Sequence, residues 1–339
     1  MYYIGIDIAK KRHEVCFLDE SGNVLDGNSF NIPNTASGLD KLQNYLDKYG
    51  LSPTNSLVGM EATGHYWLVL YSWLIEQGFD VKVINPIVTD AYRNMLIRKT
   101  KNDRIDAEVV ARVLKMGEYQ ETSLLDDDTL ALRQLCRYRL SQTQTTGDLK
   151  RKVIALLDQV FPEYDTLFSD VFGLSSKKLL KNYTTPEEIA SIHTRKLANI
   201  LNKASKGRFG KEKALEIKAV AGQSIGITVA IDAFAFQIRQ LIEQIEFVEL
   251  QIESLDREIA SYMDSLDSPI TTIPGIGPVY GATILAELGD IRRFPSGKQI
   301  VSYAGLDASV HESGDFKGSQ ARISKRGSAY LRRAIYGAA

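Results

Sequence analysis

Apolar and polar positions alternate along the first thirty residues of the chain. Residues 2–8 and 15–18 are rich in Ile, Val, Tyr and Phe, and they flank a basic turn, Lys10-Lys11-Arg12. Short runs of this kind around turns predict strands at 2–9, 13–19 and 24–32. Further on, the periodicity predicts a helix at 39–49, a strand at 56–60, a helix at 65–77 and a strand at 79–84. Strands that alternate with helices after a meander predict an α/β domain with a mixed sheet.

The rest of the chain is predicted to be mainly helical. The pattern predicts helices at 86–117 in two pieces, at 130–160, in short pieces within 162–222, and at 280–288 and 328–339. Residues 238–266 keep apolar spacings of three and four over about four heptads, which predicts a coiled coil. One helix of a compact bundle is the alternative, and pairing with 130–160 within one chain or between chains stays open.

Shifts in composition divide the chain into three predicted domains. Residues 1–122 form an α/β catalytic domain, and 123–267 form a coiled-coil, helical oligomerisation region with a basic insertion at 162–222. Residues 268–339 form a small, mainly α domain. The chain has no apolar run long enough for a transmembrane helix and no signal-peptide pattern, so we expect a cytoplasmic protein. Cys16 and Cys136 are too few for a metal or disulfide framework, so each is expected to be a small buried residue.

The near-neutral net charge of −1 hides strong local differences. Residues 171–218 hold eleven Lys and Arg against four Asp and Glu, and 268–339 hold nine against five. Residues 227–267 hold two basic and nine acidic residues. Two basic regions are what binding to a polyanion requires.

Asp7 interrupts the first apolar strand and raises the question of chemistry. Strand alternation places Asp7 on the face of Gly5 and Tyr3, opposite Ile6 and Ile8. A carboxylate inside a strand is costly unless it is paired or bound to a metal. An Asp facing water at the strand end is the alternative.

Three other carboxylates are candidates to join Asp7. Glu61 ends a predicted central strand before Ala-Thr-Gly, where open α/β sheets place their sites. Asp103 and Asp106 lie three apart, on one face of a helix. Oxygen ligands alone suit Mg²⁺ or Mn²⁺. The plainer alternatives are a helix cap for Asp103 and a favourable first-turn charge for Asp106.

Together these residues resemble a known family. The segments Gly5-Ile6-Asp7-Ile8-Ala9-Lys10, Glu61-Ala62-Thr63-Gly64 and Lys101-Asn102-Asp103-x-x-Asp106-Ala107 resemble the RuvC-like DEDD domain of insertion-sequence transposases related to the pilin-inversion recombinase Piv. The resemblance spans nearly the whole chain. It implies a ribonuclease-H-like (RuvC-like) fold and a metal-binding, catalytic tetrad of Asp7, Glu61, Asp103 and Asp106.

The C-terminal segment carries a second set of motifs. Residues 273–279, with Gly275 and Gly277, resemble a helix-hairpin-helix turn, which binds phosphate through backbone N–H groups; an ordinary turn is the alternative. The segments Ala304-Gly305-Leu306, Ser313-Gly314 and 323–327 are similar to the C-terminal domain of the same family. That similarity implies Ser313 as a catalytic nucleophile, with Ser309 and Ser324 as rivals. A loop turn at Ser313 is the alternative, and His311 is either a base or a solvated histidine.

These expectations combine into one functional hypothesis. The resemblance implies an RNA-guided DNA recombinase or transposase with Mg²⁺ or Mn²⁺, a 5′-phosphoserine intermediate and a structured bridge RNA as partner. A dimer or tetramer would assemble through the coiled coil. Candidate nucleic-acid contacts, besides the basic region 171–218, are Lys10, Lys11, Arg93, Arg98, Lys99, Lys101, Arg104, Gly275, Gly277, Arg322, Lys325 and Arg326. The alternatives are a metal-dependent junction resolvase that uses water, and a non-catalytic nucleic-acid-binding assembly protein.

Overall fold

The structure, a computed structural model, describes residues 1–61, 65–95, 103–117, 126–308, 312–313, 316–317 and 322–339. The chain divides into two compact units, an N-terminal unit, Met1–Leu124, and a C-terminal unit, Leu125–Ala339. Within the described ranges, no helix is both long and apolar enough to span a membrane.

A five-stranded mixed sheet forms the centre of the N-terminal unit. Its strands are β1 (Tyr2–Asp7), β2 (Arg12–Leu18), β3 (Phe30–Pro33), β4 (Ser56–Glu61) and β5 (Asp80–Ile84). They lie in the order β3-β2-β1-β4-β5, where β1, β4 and β5 are parallel and the hairpin pairs are antiparallel. The prediction of an α/β domain with a mixed sheet is confirmed. The third predicted strand was too long, because a 3₁₀ turn at Leu25–Gly27 precedes β3.

Helices cover both faces of this sheet. They are α1 (Ala36–Lys48), α2 (Trp67–Glu76), α3 (Pro86–Met95) and α4 (Asp103–Met116). Ile4 and Ile6 of β1 are buried in one core with Leu42 of α1 and Leu70 of α2. The opposite face of β1 packs on α4, so the alternation of β1 decides which residues meet that helix.

Two long helices pair within the C-terminal unit. Helix α5 (Asp127–Val160) and helix α10 (Ile231–Leu266) lie antiparallel. Near one end Leu132 packs in a cluster with Ile259, and near the other Val153 packs in a cluster with Ile238. An ion pair between Arg139 and Asp256 joins the two helices. The apolar seam of residues 238–266 is therefore filled by the chain's own α5.

Four short helices connect the long pair, as predicted for residues 162–222. They are α6 (Leu174–Asn182), α7 (Pro186–Ser191), α8 (Thr194–Ala204) and α9 (Lys211–Ala221), after a 3₁₀ segment at Pro162–Leu167. Buried residues of these helices share one core with α5 and α10. Thr185 and Glu188 form a capping box at the start of α7, which fixes where that helix begins.

The last third of the C-terminal unit is held on α5 by a buried carboxylate. This segment holds α11 (Pro278–Leu288), α12 (Gly297–Tyr303), the short strands β6 (Glu312–Ser313) and β7 (Phe316–Lys317), and α13 (Ala329–Ala338). Glu287 is 2% exposed and accepts from Arg137 Nε at 2.7 Å and Nη2 at 3.0 Å. Ser328 Oγ donates to the same carboxylate at 2.8 Å, so α5, α11 and α13 meet at one fully bonded charge pair.

Candidate functional site

Asp7 and Glu61 end two neighbouring parallel strands. Ile6 of β1 is opposite Met60 of β4, so the next residues, Asp7 and Glu61, lie side by side at the carboxyl end of the sheet. Both belong to the face of their strands that packs against α4, the face that also carries Gly5 and Gly59. The sheet therefore brings two carboxylates together at the edge where parallel sheets place their sites.

Gly5 allows α4 to approach the centre of β1. A Cβ atom at Gly5 would lie 2.2 Å from the carbonyl oxygen of Ala107 and 2.4 Å from the amide nitrogen of Ala111. Only a glycine accepts such a close approach of two backbones. Asp106 directly precedes Ala107 and is 7% exposed, so this packing carries its carboxylate towards the end of β1.

A third element, α3, supplies a cation and another carboxylate. Arg93 donates from Nε to Asp106 Oδ1 at 2.9 Å and also forms an ion pair with Asp90. Its side chain is 16% exposed. The sequence suggested Arg93 as a nucleic-acid contact, but in the structure its guanidinium is held between two carboxylates of its own chain.

The electrostatics of Glu61 show how crowded this cluster is. Burial raises the pKa of Glu61, and the negative charges of Asp90 and Asp106 act in the same direction. The Arg93 charge and a hydrogen bond with Thr89 lower that pKa, but they do not offset the burial. Below, the acidic site means Asp7, Glu61, Asp90 and Asp106 with Arg93.

The donor set of the acidic site fits a divalent cation that prefers oxygen. All of its possible metal donors are carboxylates. Burial, followed by the charges of Asp90 and Asp106, raises the pKa of Glu61, and a bound cation would favour its ionised form. Among the side chains that the structure describes, no group of three or more His, Cys, Asp and Glu is already arranged to hold an ion. Asp103 begins α4, one helical turn before Asp106, and its side chain lies outside the described set.

Glu14 is a carboxylate of the same region that the sequence reasoning missed. It lies opposite Asp7 on the antiparallel strand β2, is 9% exposed, and accepts a hydrogen bond from Ser29 Oγ. Strand alternation puts Glu14 and Cys16 on the same face of the predicted strand 13–19. Only the pairing of β1 with β2 shows that Asp7 lies on that same face of the sheet.

The second candidate group lies in the C-terminal unit. Ser313 belongs to β6 and is opposite Phe316 of β7, while its side chain lies outside the described set, as do Ser309 and His311. The rival Ser324 donates from Oγ to Asp307 Oδ1 at 2.5 Å, which links the two segments of the Ala308–Ile323 bridge. Three exposed cations lie on either side of Ser324 in the sequence: Arg322, Lys325 and Arg326.

The remaining candidate nucleic-acid contacts differ in exposure, and some of them lie outside the described residues. Lys10, Lys11 and Arg104 are exposed, and Arg98, Lys99 and Lys101 lie outside the described residues. Gly275 has φ +89° and lies so close to α13 that a Cβ atom would be 2.5 Å from the Ala338 oxygen. Gly277 is the N-cap of α11, and a Cβ there would meet open space. Of these two glycines, only Gly277 is free of close neighbours.

Comparison with known proteins gives a consistent set of relatives. Residues 4–162 match the DEDD transposase family of IS110, and residues 267–339 match the transposase IS116/IS110/IS902 family. The chain is 27% identical to the pilin gene-inverting protein of Moraxella lacunata, over 98% of this chain and 80% of that protein. It is 26% identical to the mini-circle putative transposase for IS117 of Streptomyces coelicolor, over 92% and 77%. It is 23% identical to the transposase for insertion sequence element IS1111A of Coxiella burnetii, over 97% and 74%.

Proposed function

The chain belongs to the IS110-type DEDD transposases and is a DNA transposase or recombinase, and we propose that it exchanges DNA strands through a serine and a divalent metal ion. The observation that carries the proposal is the meeting of Asp7, Glu61 and the start of α4 at one edge of the sheet. Family membership implies a divalent metal. Carboxylate oxygens favour Mg²⁺ or Mn²⁺ as that metal.

The proposed fold of the N-terminal unit is ribonuclease-H-like, of the RuvC type. Its support is the strand order β3-β2-β1-β4-β5, with an antiparallel meander followed by two parallel strands. The carboxylates lie on β1, which is the first strand in the sequence and the central one of the five, on its parallel neighbour β4, and on a later helix. Such nucleases gather their acidic residues from this distribution of elements. The same reasoning assigns Asp103 to the tetrad with Asp7, Glu61 and Asp106.

In the proposed reaction the two groups of residues have different tasks. Asp7, Glu61, Asp103 and Asp106 would hold the metal, which when bound polarises and orients the scissile phosphate. Ser313 Oγ attacks phosphorus, the bond from phosphorus to O3′ breaks, and the 5′ side of the DNA stays on the serine. The serine releases its proton to solvent, and the departing O3′ takes one up. Arg322, Lys325 and Arg326 neutralise charge in the transition state.

Trapping of the covalent intermediate tests this mechanism. On a DNA substrate whose fragment with the new 3′-OH is short enough to dissociate after cleavage, the wild-type chain should accumulate a covalent protein–DNA adduct. We expect Ser313→Ala and Asp7→Asn to abolish the adduct. Ser324→Ala, which loses its bond to Asp307 and the bond that it accepts from Arg326 N, should retain it. Nicking by Ser313→Ala at the wild-type rate without an adduct would show that water is the nucleophile. Unchanged DNA processing in both Ser313→Ala and Asp7→Asn would leave only a binding protein.

A structured guide RNA is the proposed source of sequence specificity. In that arrangement base pairing reads the donor and target DNA, and the protein contacts backbone and shape. The motif resemblance described above supports this partner. RNA should copurify with the chain. Ribonuclease treatment should abolish adduct formation, and returning the RNA should restore it. Full, sequence-specific adduct formation without RNA would contradict the proposal.

Assembly into a dimer or tetramer is proposed because recombination must hold two DNA segments. The seam of α10 is filled by α5, so the pairing surface between chains is expected elsewhere. Phe247 and Leu250 on α10 are 61% and 63% exposed and are candidates. Light scattering of the purified chain, with Phe247→Ser compared with wild type, tests this assignment.

The turn before α11 is proposed to contact a phosphate in the manner of a helix-hairpin-helix element. Its support is the open space around the N-cap Gly277, next to the first-turn amides that follow Pro278. A Gly277→Val variant should weaken DNA binding without loss of stability. Unchanged binding would make it an ordinary turn.

A further inference from the structure

The basic insertion separates into two groups of cations once its contacts are known. The first group points into the protein. Lys177 and Lys181 of α6 pair with Glu249 and Glu246 of α10, the latter at 2.8 Å. Lys218 of α9 donates to the carbonyl oxygens of Ala190, at 2.7 Å, and Ile192. These lysines neutralise acidic residues or cap backbone carbonyls, so they are structural.

The second group lies on the hairpin formed by α8, the loop 205–210 and α9, here called the basic hairpin. Its members are exposed, and within the described part of the chain none has a carboxylate within ion-pair distance. They are Arg195, Lys196, Lys203, Lys206, Arg208 and Lys211. Glu212 is the one acidic residue between Arg195 and Lys213 in the sequence. Like charges repel, and no ion pair with a described carboxylate offsets that repulsion here.

The loop of the basic hairpin has a defined conformation. Gly207 N donates to Asn202 O at 2.9 Å, and Phe209 N donates to Ser205 Oγ at 2.8 Å. Lys206 and Gly207 have φ values of +53° and +91°, which turn the chain sharply after α8. Leu201 and Ala214 below the loop are fully buried. Lys206 and Arg208 therefore lie on a fixed turn, between Lys203 near the end of α8 and Lys211 at the start of α9.

The aromatic rings near the hairpin are not available for stacking on bases. Phe209 contacts Phe168 edge to face at 6.0 Å, and Arg208 lies over the Phe209 ring. Lys196 lies over the Tyr183 ring at 5.5 Å. Proteins that hold single strands combine cations with open aromatic platforms. Cations without such platforms fit the phosphates of a duplex, which are read without regard to sequence.

We infer that the basic hairpin is a docking site for the phosphate backbone of double-stranded DNA, outside the acidic site and the serine segment. This inference rests on the proposed function for the choice of DNA as the duplex. The contacts are electrostatic, so they add affinity and orientation but no sequence preference.

Salt-dependent binding tests the inference. The variant Lys206→Gln/Arg208→Gln/Lys211→Gln removes three exposed cations, and Arg151→Gln/Lys152→Gln/Arg257→Gln removes three exposed cations from α5 and α10 as a charge-matched control. Fluorescence anisotropy of the full chain with labelled DNA duplexes of two unrelated sequences is measured from low to high salt. A parallel arm uses RNA duplexes of the same two sequences.

The hairpin variant should bind both DNA duplexes more weakly, and the slope of log K against log salt should fall by about one for each phosphate that the variant no longer neutralises. The control should keep nearly the wild-type slope. An unchanged slope in the hairpin variant, or an equally reduced slope in the control, would overturn the inference while the proposed function stands. Weaker binding confined to RNA duplexes would reassign the surface to RNA. Failure of the wild-type chain to bind any DNA would contradict the proposed function itself.

Discussion

Arg93 is the cation of the acidic site in the folded chain. It lies between Asp90 and Asp106, and its charge opposes the rise in the pKa of Glu61. A divalent ion held by Asp106 would share that carboxylate with the guanidinium and repel its charge. We therefore expect Arg93 to stabilise the carboxylates when no metal is bound, and its ion pair with Asp106 to weaken when one is.

The variant Arg93→Met should reveal this double role. Removing one member of a largely buried ion pair costs roughly 3 kcal/mol, so the free energy of unfolding in EDTA should fall. Mg²⁺ should stabilise the variant more than the wild type, because it replaces the missing charge. Denaturation with and without Mg²⁺ measures both effects. Arg112→Met, which breaks a half-buried pair with Glu108, is the control. Equal stabilisation of Arg93→Met and wild type by Mg²⁺ would contradict this expectation.

His13 gives the N-terminal unit a predictable response to acid. Burial lowers its pKa below the ordinary value of 6.5, against a smaller opposing hydrogen bond with Asn34. Its Nε2 atom is buried without a partner among the described residues. At a pH above the His13 pKa of the unfolded chain, the imidazole is neutral in both states. As the pH falls below that pKa, the unfolded chain takes up a proton that the folded chain does not. The free energy of unfolding therefore falls until the pH reaches the lower pKa of the folded chain.

The variant His13→Asn keeps a hydrogen-bond acceptor but does not titrate. The free energy of unfolding should therefore depend less on pH between about 7 and 5 than in the wild type, whatever its absolute value. Urea denaturation at several pH values gives the slope, and the exposed His65→Asn in the same unit should leave it unchanged. A wild-type slope in His13→Asn would show that other groups set the acid response.

At the scale of elements, the contact of β1 with α4 positions the acidic site. Gly5→Ala would place a methyl group against two backbone atoms, 2.2 and 2.4 Å away, that cannot rotate aside. Overpacking costs about 1–3 kcal/mol and occasionally more, and we expect the upper end here. Gly59→Ala on β4 is the matched control, since its methyl would meet the flexible Leu114 side chain at 3.2 Å. Thermal unfolding compares the two, and similar destabilisation of both variants would mean that α4 shifts freely.

The elements themselves were largely predictable from the sequence. Periods of two and near 3.6 located β1, β2, β4, β5 and α5 to within a few residues, because burial on one face controls both patterns. The same pattern found α10 only from residue 238, although that helix begins at Ile231. The predicted start of the third strand was wrong. Apolar Leu25 and Phe30 suggested one continuous strand, but a turn in which Asp26 has φ +56° separates them. Local apolarity does not reveal such a turn.

Contacts between distant residues could not be predicted in the same way. The sequence supplied Asp7, Glu61 and Asp106 as candidates, but Arg93 looked like one more surface cation until α3 was packed on α4. The basic insertion likewise looked uniform, although Lys177 is matched by Glu249, more than seventy residues later in the sequence. Pairing partners depend on tertiary packing, and no short pattern encodes them.

For the whole molecule, the proposal divides two tasks between the two units. The carboxylates for the metal belong to the N-terminal unit, and Ser313 belongs to the C-terminal unit. Metal binding should then be a property of the first unit, whereas the covalent adduct should need both.

Two measurements on two variants test this division. Asp7→Asn should weaken Mn²⁺ binding, measured by calorimetry, by about tenfold or more, since losing even a residue that only hydrogen-bonds to a metal ligand has that effect. The same variant should form no adduct. Ser313→Ala should bind Mn²⁺ as the wild type does and still form no adduct, since the serine takes part only in the covalent step. If Ser313→Ala weakened Mn²⁺ binding as much as Asp7→Asn, the serine would belong to the metal site and the division would be wrong. If Asp7→Asn formed the adduct at the wild-type rate, the acidic site would have no part in strand cleavage.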